Sequence, residues 1–486
     1  MADQQRNTRP LRSGRRTGIW QSGVISPLRI SHGYFGGRTL AGSRVPCLEQ
    51  SCRNIPCVTP LKELVYCERI EHSQLPMARD HPTPCNVLAD GPVRSLIHWL
   101  LAVLVLVTGC GGKKDGPGTP SAGVHESGAW RTHEWPMTRG GKELQGRVRD
   151  RVVQQPVVEW TFSAKGAVTS EAAISNGIVV FGNDEGAVIA VDMLTKKERW
   201  RINTKDTVEA TPAIAAGRVF AGSNDGVFRA LDAGTGKQIW QIEGEEKFPT
   251  GGVVVASPDG TDEWLLVNGY DGVSRCLRTR DGMEVWRHET QDYINGTPAI
   301  MDGGLVAFGG CDSVIHVIHL KDGSKLSQVP TAAQIIRSLT SRDGMVYAVN
   351  HADQLVAAEV KANKPAWVYE DDGAQFLTIP AVDEARVYVG SRDKHLHAVD
   401  RLNGKQLWKF KTGGRVESSP LVFDDAVVFG SADGRLYAVD KQDGREIWRL
   451  DLGENLAVAA AFAGGRIVIG GAGGTLFVIG EGGMRK

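Results

Sequence analysis

The chain has 486 residues, with 56 basic and 56 acidic side chains and 41% apolar content, a balance that suits a folded protein of no net charge. The balance hides an asymmetry, because 13 basic and 7 acidic residues fall within 1–110 and leave 43 against 49 beyond. That mildly acidic remainder has no long basic run, which speaks against nucleic acid as a partner. Eight cysteines, only two of them beyond residue 110, do not make a disulfide-stapled fold.

Residues 1–92 are arginine-rich and show neither strand alternation nor helical periodicity. Cys47, Cys52, Cys57 and Cys67 stand too far apart for a zinc site, which wants close pairs. This stretch is expected to be disordered, or an over-extended start of the gene model. Residues 93–110 then read as a secretory signal: Arg94, about a dozen apolar residues, and Val107-Thr-Gly-Cys110. The last four residues resemble a bacterial lipobox, so Cys110 is expected to carry the lipid and to become the mature N-terminus. Residues 111–156 read as a flexible tether and a lead-in segment, the tether opening on Gly111-Gly-Lys-Lys-Asp-Gly-Pro-Gly.

From residue 157 the text repeats. Asp440, Gly444 and Trp448 recur as Asp232, Gly236 and Trp240, and as Asp400, Gly404 and Trp408. Trp160, Trp200, Trp286 and Trp367 hold the same register with partial matches, and Ser327 takes the tryptophan position once. The register positions 160, 200, 240, 286, 327, 367, 408 and 448 are 40, 40, 46, 41, 40, 41 and 40 residues apart. A forty-residue period of short strands and tight turns is that of a β-propeller. The 46-residue step comes from an acidic insertion, Ser257-Pro-Asp-Gly-Thr-Asp-Glu263. Chain 157–486 is therefore expected to be all-β: eight four-stranded antiparallel blades, with the repeat tryptophans packing them.

The last unit ends before its tryptophan position, and Val157–Phe162 supplies the missing strand. Pairing the N-terminal strand with the last blade closes the ring and removes both free edges. On this reading, truncation through residue 156 leaves a folded monomer and truncation through 165 does not. Cys276 replaces the alanine seen at Ala230 in the strand pattern and is expected to be a buried free thiol. Thr169, Glu209, Asn295, Arg337, Leu377, Glu417 and Ala457 share the position before the innermost strands, facing the central channel.

The Asp-x3-Gly-x3-Trp register resembles the pyrroloquinoline-quinone-type propeller repeat over residues 157–486. The segment Trp135-Pro-x-x-Arg139-Gly140-x5-Gly146 is similar to the lead-in of many such proteins. Without accessory domains, and with a lipobox, the chain resembles the outer-membrane protein assembly lipoproteins of BamB type. That resemblance implies a monomeric, non-enzymatic scaffold, lipid-anchored on the periplasmic side of the outer membrane. It implies envelope-protein partners, such as those of an outer-membrane barrel-assembly complex, and no cofactor. The alternative is a divergent quinone-binding or other ligand-binding propeller with oxidoreductase activity, holding pyrroloquinoline quinone and calcium. Quinoprotein dehydrogenases of this fold carry adjacent cysteines beside the quinone, and this sequence has no Cys-Cys pair. Glu209 and Glu417, the carboxylates of the channel position, belong to non-neighbouring blades, so no catalytic, cofactor or metal residue is assigned.

Overall fold

A computed structural model describes residues 134–483 of the chain. Cys110 and the expected signal lie outside the described residues. Thirty-two strands form eight four-stranded antiparallel sheets. Seven sheets use four consecutive strands, and the eighth combines the last three strands with Pro156–Ser163. Counted from the first complete sheet, blades 1 to 8 start at residues 173, 213, 253, 299, 340, 381, 421 and 461. The strands of each blade are named A (innermost) to D (outermost). The ring closes where Val157 pairs with Gly480 and Phe162 with Leu476.

Six repeat tryptophans sit on strand D opposite a small C-strand residue, as Trp200 faces Ala190, Trp408 faces Ala398 and Trp286 faces Cys276, while Trp160 faces Val478. A β-bulge follows at once in each of these ladders. The bulge turns the preceding residue out of the pairing, which is why Ile239, Val285, Leu326 and Leu407 are exposed. Cys276 is buried and free, and burial raises its thiol pKa, so it behaves as a small apolar residue.

The repeat aspartate and glycine share one C–D turn, and the tryptophan that packs on it comes from the preceding blade. Trp200 Nε1 donates to Ala233 O at 2.9 Å, in the C–D turn of the next blade, and Trp240 and Trp286 do the same to Thr279 and Leu320. The turn glycine lies under the ring: a Cβ on Gly236 would stand 2.7 Å from Trp200, and one on Gly282 2.8 Å from Trp240. Ser327 in blade 4 and Asn363 in blade 5 therefore lie on one interface; the other departure from the turn glycine, Lys196 in blade 1, also takes a left-handed φ of 60°. Ser327 Oγ donates to Val360 O at 2.6 Å, replacing the indole hydrogen bond. With no ring above it, Asn363 takes the glycine position at φ 51°.

Residues 134–153, inside the stretch read as tether and lead-in, are packed along the ring. Trp135 exchanges two backbone hydrogen bonds with Ile174 of blade 1, and Pro136 O accepts from Ile214 of blade 2. Lys142, Glu143, Gln145 and Gly146 then accept from Ile300, Ser341, Val382 and Val422, the inner strands of blades 4 to 7. Val153 O accepts from Trp448 Nε1 at 2.7 Å, and the chain passes directly into the closing strand. The segment thus caps the A–B end of the channel with buried Trp135, Leu144, Val148 and Val152. Truncation through residue 156 would strip these contacts, so the expectation of an intact ring after that cut is replaced by one of lost stability.

Candidate functional site

The central channel is open at the end formed by the B–C turns and the D–A connections. It holds a cavity of about 610 Å³ lined by all seven residues of the channel position, Thr169, Glu209, Asn295, Arg337, Leu377, Glu417 and Ala457. The D–A connections run into the innermost strands, several through Thr211-Pro212, Thr297-Pro298 and Ser419-Pro420. Proline is tolerated there because an inner strand is a blade edge and the residue precedes the ladder.

The floor is built by the lead-in segment. Glu171 accepts from Trp135 Nε1 at 2.5 Å and from the Arg139 backbone N–H at 3.1 Å. The Arg139 guanidinium reaches across the channel to blade 7, donating to Ser419 O at 3.3 Å and to Pro420 O. Both side chains are buried; burial raises the Glu171 pKa and lowers that of Arg139, and each charge partly offsets the shift of the other. Gly140 and Gly146 leave room for these groups, since a Cβ on Gly140 would meet Trp135 at 2.5 Å and one on Gly146 would overlap the Arg139 guanidinium. The Trp-Pro-x-x-Arg-Gly-x5-Gly pattern is the chemistry of this floor.

The wall is electrically mixed. Glu209 of blade 2 and Glu417 of blade 7 both attract Arg337 of blade 5, which opposes the lowering of its pKa by the enclosing walls. Glu417 is already paired, accepting from Arg392 Nε at 2.9 Å. At the rim, Lys247 lies 4.7 Å above the Tyr270 ring, which stacks on Tyr293 at 4.3 Å. Lys247 and Tyr270 come from a D–A connection and a B–C turn, so the inner-strand register gave no signal for them.

This donor set does not fit the calcium and quinone alternative. A calcium ion wants several converging oxygen ligands, whereas the carboxylates lining the cavity come from separate blades, with Glu171 engaged by Trp135 and Arg139 and Glu417 by Arg392. Tyr270 is the aromatic side chain of the lining. The free cysteines among the described residues, Cys276 on a C strand of blade 3 and Cys311 in a B–C turn of blade 4, lie in different blades.

One histidine cluster lies elsewhere, where ligand atoms of Asp371, Asp393 and His397 come within 4.8 Å. Its atoms are engaged with one another. His397 Nε2 faces Asp393 Oδ2 at 3.0 Å, Nδ1 faces the Tyr369 hydroxyl at 3.0 Å, and Lys409 Nζ neutralises Asp371 at 2.6 Å. The same turn-to-strand pairing recurs as Asp225–Arg229, Asp271–Arg275, Asp312–His316 and Asp433–Tyr437. These carboxylates fasten B–C turns to their C strands.

The family described as outer membrane protein assembly factor BamB matches residues 138–268, 270–379 and 373–483. The chain belongs to this family. No curated relative matches the sequence. Among solved structures, BamB from Moraxella catarrhalis is 19% identical, covers 67% of this chain and 99% of its own, and superposes with a TM-score of 0.56. A europium-containing methanol dehydrogenase is 12% identical over 72% and 98% of the two chains, with a TM-score of 0.61. The quinohemoprotein alcohol dehydrogenase from Comamonas testosteroni is 13% identical over 74% and 82%, also at 0.61. At these identities the structures share the fold with this BamB-family propeller, and the fold hosts both scaffolds and dehydrogenases.

Proposed function

We propose that the chain is a lipid-anchored, non-enzymatic scaffold of the bacterial cell envelope, held by Cys110 on the periplasmic side of the outer membrane. Residues 93–110 serve as its signal, and the stretch before Trp135 as its tether. Its partners are envelope proteins of a barrel-assembly machinery. The observation that carries this reading is the family match, which runs through the whole propeller from residue 138 to 483. The site chemistry agrees with it. The turn aspartates are spent on fastening strands, and of the cavity's carboxylates Glu171 is engaged by Trp135 and Arg139 and Glu417 by Arg392. Deleting the gene is expected to lower the amount of folded, heat-modifiable outer-membrane barrels. Unchanged barrel levels in cells lacking the chain overturn the assembly role.

A further inference from the structure

The cavity presents three charges without an ion pair among the described residues: Arg337 and Glu209 on the wall and, at the rim, Lys247, held over the Tyr270 ring. Arg337 spends its Nε on Leu377 O at 3.0 Å, and among the described residues its two terminal amino groups make no hydrogen bond. Glu209 is exposed to the cavity and has no hydrogen bond or ion pair at all among them, its one resolved interaction being the attraction to Arg337. Neither reaches the other closely enough to form an ion pair. At the floor, Thr138 is 3% exposed, lines the same cavity, and its Oγ1 finds no partner. A buried hydroxyl without a hydrogen bond is destabilising, and a ligand or water that bonds it recovers that cost. The blade-5 and blade-6 side of the cavity is apolar, with Ile336, Leu377 and Ile379.

We infer that this cavity binds a small zwitterion of the amino-acid or short-peptide class. Its carboxylate pairs with Arg337, its ammonium with Glu209, and its hydrocarbon side chain lies against Leu377 and Ile379. A ligand of single charge does not suit the site. A dianion would satisfy Arg337 but bring negative charge to Glu209 and Glu417, and a cation would satisfy Glu209 while repelled by Arg337. A cavity of about 610 Å³ is of the size that small ligands occupy. The floor formed by Trp135, Arg139 and Glu171 closes the far end, so the ligand enters and leaves by the face carrying Lys247 and Tyr270.

The test is isothermal titration of the full-length protein with leucyl-leucine, its N-acetyl form, its C-terminal amide, and succinate. Binding of the free dipeptide is expected, with each blocked form weaker by about tenfold or more, as loss of a charged hydrogen bond predicts. Arg337→Gln should remove the difference between the free acid and the amide, and Glu209→Gln that between the free amine and its acetyl form. Should either variant fail to fold, the blocked peptides on the native protein carry the test alone. No heat from leucyl-leucine up to ~10 mM overturns the proposal, as does equal affinity for the blocked peptides. Succinate binding as tightly as the dipeptide overturns it too, leaving a plain anion site. The outcome is independent of the scaffold role, which the barrel levels report.

Discussion

Replacing a turn glycine by alanine separates two costs that the blade interface combines. Gly217 and Gly236 lie in the A–B and C–D turns of blade 2, with φ of 73° and 72°. A Cβ at Gly217 meets nothing within 4 Å, whereas one at Gly236 stands 2.7 Å from the Trp200 ring. Gly217→Ala should therefore cost only the left-handed conformation of an L-residue, about 1–2 kcal/mol. Gly236→Ala adds an overpacking cost of about 1–3 kcal/mol, because the ring is held by its hydrogen bond to Ala233 and cannot retreat freely. The expected totals are about 1–2 against about 2–5 kcal/mol, read as the difference in urea midpoint between the variants. In a Trp200→Ala background the two substitutions should converge. Equal destabilisation by both in the native background, or a difference that survives loss of the indole, would refute the claim that glycine is required there by the neighbouring blade.

Three further outcomes are expected. On the proposed lipidation, Cys110→Ala should leave the chain in an unlipidated form that no longer fractionates with membranes, since two acyl chains would be its anchor; unchanged mass and fractionation argue against lipidation. Truncation through residue 133 should preserve the melting temperature, whereas truncation through 153 removes buried Trp135, Leu144, Val148 and Val152, about 6–12 kcal/mol of apolar burial at ~1.5–3 kcal/mol each, and should leave an aggregating chain. A well-folded product of the longer truncation would show the lead-in to be dispensable. Arg147 donates to Glu384 at 2.6 Å and holds its pKa down from 4.5 to about 2. A depressed folded-state value means that this contact stabilises above pH 4.5 and is lost as the pH falls towards 2, so Glu384→Gln should flatten the melting curve against pH in that window. Identical pH slopes in the two proteins would count against it.

How much was legible depends on where a residue's partner lies. The strands and turns were readable because Asp433-Gly434 and its copies act on their own neighbours. The channel position was readable because one register repeats in seven of the eight blades, and all seven of those residues line the cavity. The pairing of Trp200 with Gly236 was hidden, since each belongs to a different repeat. A signal did exist: Ser327 and Asn363 depart together, 36 positions apart, as one interface losing its indole. Blades 4 and 5 are irregular at one shared contact. The acidic insertion at 257–263 joins strands A and B of blade 3, so it lies at the lead-in end of the ring, whereas the Asp433 turn lies at the open end.

Sequence alone determined the number of blades, their strand order and the closing strand, because a propeller repeats one local unit and the tryptophan position missing from the last unit could be supplied only by Trp160. The tertiary structure decided what that unit could not express. Residues 134–153 bond to inner strands drawn from six of the eight blades, so no window of sequence contains both donor and acceptor. Glu209, Arg337 and Glu417 become one electrostatic group only because the ring brings blades 2, 5 and 7 around a common axis. Short-range chemistry wrote the blades; closure of the ring created the floor, the cavity and its unpaired charges.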